Sequence, residues 1–140
     1  MSTYYFWDIE NISFHNFERI MDHVRLEKDD VQCYVVFAKI KEAHKEVLKT
    51  HGWQLFMTEE ISRNSADMKI KDMIEILIEN DQTDVRKIVL ITEDKGFKKT
   101  GKKIIEKGYD VEIICATKNP TWVNELAAYK KDLFGVDKFI

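Results

Sequence analysis

Acidic side chains occur at three places in this 140-residue chain where their spacing could support chemistry. Asp8 follows an apolar and aromatic run, Asp94 follows a second apolar run, and Asp67 lies at the start of a long helical pattern. Carboxylates gathered at one place cannot all stay ionised without a cation. Oxygen-rich clusters of this kind suit Mg²⁺ or Mn²⁺, and a bound divalent ion can polarise a phosphoryl oxygen and activate a water. Phosphodiester hydrolysis is the chemistry that these residue types favour.

The elements that must position the acids alternate between strands and helices. Apolar runs predict strands at 4–9, 31–38, 53–57, 87–92 and 111–116, and helical spacing predicts helices at 14–26, 41–50, 65–80, 97–107 and 121–134. Gly52 and Gly108 each separate a helix from the next strand, where a left-handed residue ends a helix. Asn119 and Pro120 predict the start of the last helix. Because such alternation implies parallel pairing through right-handed crossovers, we expect a single α/β domain over residues 1–140.

Strand composition predicts the order of the sheet. The first, second and fourth strands are the most apolar and should be central, whereas the short third strand suits an edge. An order of 3-2-1-4-5 satisfies both conditions and describes a Rossmann-like three-layer domain with a mainly parallel five-stranded sheet. It places a topological switch point between strands one and four, where open α/β sheets bind their ligands at the carboxyl ends of the strands. Asp8 and Asp94 follow these two strands.

Helix geometry brings Asp67 to the same edge. At about 100° per residue, Asp67 lies about 50° from the centre of the helix's apolar stripe, whereas Asp72 lies about 170° away and should face solvent. A helix that leads into a parallel strand runs antiparallel to the strands, so its N-terminus lies at their carboxyl edge. We therefore expect Asp67 to converge on Asp8 and Asp94.

Each acid also has a structural interpretation. Asp94 could cap the helix that follows it, and Ser65 or Asp67 could cap the helix that they open. Asp8 and Asn11 have the spacing of an Asx turn. Taken singly, the acids favour neither interpretation, but their convergence at the switch point favours a functional site.

Three segments resemble motifs of NYN and PIN-like nuclease domains. Residues 8–11 (DIEN) resemble the D-x-E-N opening of these domains, and residues 64–67 (NSAD) resemble their N-A-x-D helix start. Residues 92–97 (TEDKGF) are similar to their S-x-D-x-G-F segment. The three segments follow family order and spacing, and the strand–helix pattern covers essentially the whole chain.

The resemblance implies a sheet of order 3-2-1-4-5 and a metal-dependent ribonuclease centre. Asp8, Asp67 and Asp94 would be the catalytic residues and the ligands of Mg²⁺ or Mn²⁺. Asn11 would brace the site, and Thr92 takes the usual Ser position of the family. The implied substrate is RNA, either single-stranded or structured.

The chain departs from the family pattern at two positions. Many active relatives have a second acid where this chain has Gly96, and a further helix acid that neither Met73 nor Asp72 supplies. Glu10 or Glu93 would then have to complete the cluster. Otherwise the site binds one metal weakly or is catalytically degenerate.

Basic side chains near this edge are candidates for contact with RNA. The helix after the third motif is rich in lysine, and a row of lysines would follow phosphates and make binding salt-dependent. A solvated helix face explains the same pattern. Arg63 and Asn64 could contact a phosphate or sugar, although ordinary loop polarity explains them equally well. The candidate lysines are Lys95, Lys98, Lys99 and Lys102.

The composition of the chain excludes some classes of protein. A net charge of −3 excludes a grossly basic nucleic-acid coat, and no apolar run approaches the ~20 residues of a membrane span. Cys33 and Cys115, in strands about 14 Å apart, are too distant for a disulfide. Together with the lack of a targeting segment, this predicts a cytoplasmic protein. An exposed helix or edge strand leaves a homodimer or protein partner open.

Three functions remain open on the sequence alone. A metal-dependent endoribonuclease leads. The second is a catalytically weak domain of the same fold that binds RNA or a protein, motivated by the thinned acidic set around Gly96. The third is a receiver-like signalling domain, which Thr92 and Lys118 fit, but residues 58–60 (TEE) lack its phosphoacceptor Asp.

Overall fold

The computed structural model describes residues 1–58, 65–80, 84–115, 121–127 and 136–138. Its strands are β1 (Ser2–Asp8), β2 (Asp30–Phe37), β3 (Trp53–Met57), β4 (Val85–Ile91), β5 (Asp110–Cys115) and β6 (Val136–Lys138). Its α-helices are α1 (Phe17–Arg25), α2 (Glu42–Thr50), α3 (Ser65–Glu79), α4 (Lys98–Glu106) and α5 (Thr121–Ala127). Short 3₁₀ turns at Phe14–Asn16 and Lys95–Phe97 lead into α1 and α4. Within these ranges no helix combines the length and apolar character that a bilayer crossing requires.

The sheet is parallel throughout, with the order β3-β2-β1-β4-β5-β6. The order predicted for the first five strands is therefore confirmed. β6 was not predicted, and it extends the sheet beside β5. Of the helix predicted at 121–134, residues 121–127 are helical, and residues 128–134 lie outside the described ranges.

The hydrophobic core lies in two layers, one on each face of the sheet. Side chains of β1 alternate between them: Tyr5 and Trp7 pack in the layer that contains α1 and α2, and Phe6 packs in the layer that contains α3 and α4. This alternation follows from the two-residue period of a strand that is buried on both faces. Helices covering both faces give the three-layer architecture and leave the carboxyl ends of β1 and β4 at one edge.

The two glycines at helix ends and the two cysteines have the conformations and surroundings that the sequence predicts. Gly52 and Gly108 have φ values of 88° and 91°, the left-handed conformation expected at the ends of α2 and α4. Cys33 and Cys115 are buried free thiols, and burial raises the pKa of Cys33 to about 12. Asn119 and Pro120 lie outside the described ranges.

A charged network lies near the amino ends of the central strands, remote from the predicted site. Lys87 Nζ lies 2.8 Å from Glu27 Oε2 and 3.3 Å from Glu112 Oε2. His23 Nε2 lies 3.3 Å from the same Glu112 oxygen, and His23 Nδ1 lies 3.0 Å from the hydroxyl of Tyr5. The network gives the buried ammonium of Lys87 two carboxylate partners, so its role is structural.

Candidate functional site

The loop after β1 is joined to the loop after β4 through Asn11. The backbone oxygen of Asp8 accepts hydrogen bonds from the backbone N–H groups of Asn11 (3.0 Å) and Ile12 (2.9 Å), which turn the chain away from the sheet. The side-chain oxygen of Asn11 then accepts hydrogen bonds from Thr92 Oγ1 (3.2 Å) and Glu93 N (2.6 Å). These contacts fix the two loops at the switch point relative to each other.

Asp94 is positioned by the strand end that precedes it and the turn that follows it. Its backbone N–H donates to Thr92 Oγ1 at 3.1 Å, and its Oδ1 accepts from Gly96 N at 2.9 Å. The second bond is the capping interaction that the structural interpretation of Asp94 predicted. The cap also holds the carboxylate in a fixed orientation, so the structural and functional interpretations are compatible.

Trp122 supports the same loop from α5. Its Nε1 donates to the backbone oxygen of Glu93 at 3.1 Å, and only 5% of the residue is exposed. Trp122 is therefore a core residue rather than a platform on which a base could stack. The backbone of Glu93 contributes to the site. Its N–H donates a hydrogen bond to Asn11 Oδ1, and its carbonyl oxygen accepts one from Trp122 Nε1.

Asp67 lies in the first turn of α3 and is 7% exposed. Its Oδ2 lies 3.2 Å from Nζ of Lys71, one turn further along the helix. Its Oδ1 is fully buried and has no hydrogen-bond partner among the residues that the structure describes. The start of α3 is fixed by a hydrogen bond of 3.1 Å between Ser65 Oγ and Thr58 Oγ1, at the end of β3. A buried carboxylate oxygen without a partner is costly, and among the predicted site residues within the described ranges Asp67 is the one with such an oxygen.

Gly96 lies where the acidic groups meet. A Cβ added to Gly96 would lie 3.2 Å from Asp94 Oδ1, 3.2 Å from Lys71 Nζ and 3.4 Å from Asp67 Oδ2. Two carboxylates and one ammonium therefore surround a single point. The convergence of α3 on the β4 edge, expected from helix arithmetic, is present in the structure.

The acids are also coupled electrostatically. Burial first, and then the negative charges of Asp67, Glu10 and Asp94, together raise the pKa of Asp8 to about 7, against a hydrogen bond from the Asn11 backbone. Burial likewise raises the pKa of Asp67, with the charge of Asp94 adding to the effect and Lys71 opposing it. Asp8 and Asp67 are thus harder to ionise because they are buried beside other acids, which is the situation that a bound cation relieves.

Glu10 does not extend the strand pattern. Strand periodicity would place Asp8 and Glu10 on the same side only if the strand extended to Glu10, but β1 ends at Asp8. Glu10 is exposed, and its Oε1 accepts a hydrogen bond from Ala38 N at 2.9 Å, which ties the loop after β1 to the end of β2. Its contribution to the acidic group is its charge, which raises the pKa of Asp8.

The side chains of the site can be compared with the ligands that divalent cations prefer. In the conformation described, and within the described ranges, no three His, Cys, Asp or Glu side chains form a group that could hold a metal ion. Carboxylate oxygens are nevertheless the donors that Mg²⁺ and Mn²⁺ prefer. Asp67 Oδ1 is buried without a partner among the described residues, and the pKa of Asp8 is raised. Both observations indicate that nearby positive groups only partly neutralise the carboxylates.

The lysine-rich helix presents both exposed and paired side chains. Lys95 and Lys99 are exposed, and Lys102 is half-buried. Lys98 is paired with Glu125, and Lys103 Nζ lies 2.6 Å from Glu75 Oε1. Arg63 and Asn64 lie outside the described ranges.

A groove of about 300 Å³ between α3 and α4 connects two of these lysines, Lys99 and Lys103, with the acidic group. Lys71 and Gly96 line it at the acidic group, and Lys99, Thr100 and Lys103 line it along α4. Asp72 and Glu75 line the groove on the side of α3. The lysines on the side of α4 are suited to a phosphate backbone.

Lys71 is the site residue that the sequence analysis missed. The search along α3 looked for a further acid and so considered Asp72 and Met73; Asp72 is exposed, as predicted. A lysine four residues after an acid on a helix is a recognised pairing signal. Applied to Asp67, this spacing would have identified Lys71.

Fold and site together define a PIN-like, nuclease-type α/β domain with acidic side chains at the switch point of a parallel sheet. The family model of the NYN domain matches residues 2–133. The chain therefore belongs to the NYN domain family, and the resemblance identified in the three motifs is confirmed.

A solved structure with a TM-score above 0.5 supports the fold. A protein of unknown function from Vibrio parahaemolyticus is similar, with a TM-score of 0.72 and 14% identity over 99% of this chain and 93% of that chain. A probable oxidoreductase, yhhX, matches with a TM-score of 0.47 and 12% identity over 99% of this chain and 34% of that chain. No curated protein matches the sequence.

Proposed function

We propose that this protein is a metal-dependent ribonuclease that hydrolyses phosphodiester bonds of RNA. The observation that carries the proposal is the buried, unpartnered Oδ1 of Asp67 beside Asp8 and Asp94 at the switch point. Membership of the NYN family supports a nuclease-like activity. We further propose that residues 1–140 act as one NYN domain.

The acids would hold the metal, and the neighbouring polar groups would hold the acids. Asp8, Asp67 and Asp94 are the proposed ligands of Mg²⁺ or Mn²⁺. When bound, the ion supplies a polarised phosphoryl oxygen and a water of lowered pKa. Asn11 and Thr92 keep the loops after β1 and β4 in register, so that Asp8 and Asp94 keep their separation.

The groove between α3 and α4 supplies the path for the RNA. Lys99 is exposed and lines this groove, and the exposed Lys95 precedes Gly96 in the chain. Both would contact phosphates, and the half-buried Lys102 would add positive charge nearby. Lys98 would have to leave Glu125 before binding a phosphate, because the two are paired. Arg63 and Asn64 stay predicted contacts.

The test is cleavage of a fluorescent single-stranded RNA with saturating Mn²⁺ by wild type, Asp94→Asn and Asp22→Asn. Asparagine retains an oxygen that can accept from Gly96 N, so Asp94→Asn removes the charge and keeps the cap. Asp22 is exposed on α1 and provides the same charge change away from the site. We expect a loss of at least 100-fold in Asp94→Asn and none in Asp22→Asn. Wild-type activity in Asp94→Asn would reject the site.

A second function has an observation in its favour. Gly96 brings no side chain to the centre of the acidic group, and the Lys71 ammonium already lies there. A domain of this kind could bind RNA or a protein partner without turnover. Tight RNA binding without cleavage at saturating Mn²⁺ would select this function over the nuclease.

The remaining expectations are not changed by the structure. The receiver-like alternative depends on residues 58–60 and Lys118, of which Thr58 alone is described, and NYN membership disfavours it. A cytoplasmic location, a homodimer and a protein partner stay predictions from the sequence.

A further inference from the structure

We propose that Lys71 is a built-in cation of the acidic site, and that its ammonium group takes the place of one divalent ion. The site would then bind a single metal ion. This inference rests on the proposed function, because it assumes that the acidic group binds a divalent metal. It assigns a role to a residue that belongs to none of the three motifs.

Lys71 is held in the site by two contacts and lies beside Gly96. Its Nζ lies 3.2 Å from Asp67 Oδ2 and 5.2 Å from the centre of the Phe97 ring, which is fully buried. The third neighbour is Gly96, whose added Cβ would lie 3.2 Å from the same Nζ. An ammonium between a carboxylate and an aromatic face is stabilised from both sides. Because 31% of the Lys71 side chain is exposed, water or an incoming group can still reach it.

Gly96 and Lys71 are complementary. The position of a Cβ at residue 96 is 3.2 Å from both Asp94 Oδ1 and Lys71 Nζ, which is closer than ordinary side-chain contact. A Cβ there would require the ammonium or the Asp94 carboxylate to move by a few tenths of an ångström, and a larger side chain would crowd both further. The absence of a side chain at Gly96 therefore leaves room for Lys71 Nζ near Asp94.

The balance of charge in the acidic group also favours a single divalent ion. Asp8, Asp67 and Asp94 carry three negative charges when all are ionised. The Lys71 ammonium and one divalent ion neutralise them, whereas a second divalent ion would leave an excess of positive charge among buried groups, which is costly.

The two oxygens of Asp67 divide the roles. Oδ2 is paired with Lys71, and Oδ1 is buried without a partner. The free oxygen is the one left for a metal, so Lys71 can keep its ion pair when the metal binds. The Asp67 carboxylate would then contact two cations at once, which is possible because each of its two oxygens can accept a contact.

The experiment counts bound Mn²⁺ by calorimetry and by electron paramagnetic resonance in wild type, Lys71→Met, Lys71→Arg and Lys69→Met. Lys71→Met removes the charge but keeps an unbranched side chain, and Lys71→Arg keeps the charge. Lys69 is exposed on the same helix, so Lys69→Met is the matched control. Circular dichroism of each variant establishes that it is folded.

We expect one Mn²⁺ per chain in wild type, Lys71→Arg and Lys69→Met. Removing the like charge in Lys71→Met should tighten Mn²⁺ binding at least tenfold, and the double variant Lys71→Met/Gly96→Asp should bind two ions. Two ions in wild type, or wild-type affinity in Lys71→Met, would overturn the role of Lys71 and leave the proposed nuclease standing. No Mn²⁺ bound in any variant would overturn the proposed metal site itself, and this inference with it.

Discussion

Asn11 Oδ1 accepts a hydrogen bond from Thr92 Oγ1 at 3.2 Å, and this contact joins the end of β1 to the end of β4. The same oxygen accepts from Glu93 N, so one side chain satisfies two donors of the opposite loop. Asp8 and Asp94 lie on either side of this junction. Their relative position therefore depends on a residue that carries no charge and is exposed to solvent.

Asn11→Ala should lower both stability and activity. The substitution leaves Thr92 Oγ1 and Glu93 N without their acceptor, which should lower the free energy of unfolding by about 1–3 kcal/mol. Urea denaturation measures this change. Asn16→Ala is the control, because Asn16 is half-exposed and makes one local side-chain bond, to Ser13 O at 3.3 Å. Equal destabilisation by the two substitutions would contradict the bracing role of Asn11.

Without metal, stability should fall as pH rises, because of Asp8. Its pKa is raised to about 7 in the folded protein, first by burial and then by its acidic neighbours, whereas an unfolded Asp titrates near 4. The folded state therefore favours protonated Asp8, and this stabilisation is present below about pH 4 and lost as pH rises through about 7. The loss should be on the order of 2–4 kcal/mol.

Asp8→Asn should remove most of this dependence. Chemical unfolding in EDTA at pH 5, 6, 7 and 8 would show a wild-type stability that declines and a variant stability that is flatter and higher at pH 8. A wild-type curve that rises between pH 5 and pH 8, with Asp8→Asn following it, would contradict the assignment.

A substitution in the charged network near the amino ends of the strands should lower the stability of the protein without affecting RNA cleavage. Lys87→Met removes the ammonium that the buried carboxylates of Glu27 and Glu112 share. Arg86 stays 3.1 Å from Glu27 and His23 stays 3.3 Å from Glu112, so the loss should be about 1–3 kcal/mol. Lys45→Met removes a pair whose Glu42 partner is 82% exposed, and it should cost about 1 kcal/mol or less. Thermal unfolding compares them, and a similar small loss in both would show that the network is not stabilising.

Salt dependence should locate the RNA path. If Lys99 contacts a phosphate, Lys99→Gln should reduce the slope of log K against log salt concentration by about 0.7 for single-stranded RNA. Lys107→Gln is the comparison, because Lys107 is exposed at the far end of α4. Fluorescence anisotropy across a salt series, in Ca²⁺ buffer, gives both slopes. Unchanged slopes in Lys99→Gln would place the RNA elsewhere.

The fold could be predicted from the sequence because its signals are local and redundant. Apolar runs identified β1, β2 and β4 as central strands, and Gly52 and Gly108 marked helix ends that the structure confirms. β6 was missed because three residues give too short a pattern to distinguish from a loop or helix end.

The site was predictable only in part. Helix periodicity brought Asp67 to the correct edge, since the direction of α3 follows from the parallel sheet. The position of Glu10 depended on where β1 ends, and the backbone turn at Asp8 set that point. Lys71 was missed because its role depends on the empty space at Gly96, which is a property of packing rather than of spacing.

The most direct test of the central claim is single-turnover cleavage of single-stranded RNA across a Mn²⁺ titration, in wild type and Asp67→Asn. Asp67 is the choice because its unpartnered oxygen carries the metal-site proposal. A rate that rises with Mn²⁺ and saturates in wild type, and is at least 100-fold lower in Asp67→Asn, is the predicted result. Cleavage that is independent of Mn²⁺, or equally fast in Asp67→Asn, would contradict it.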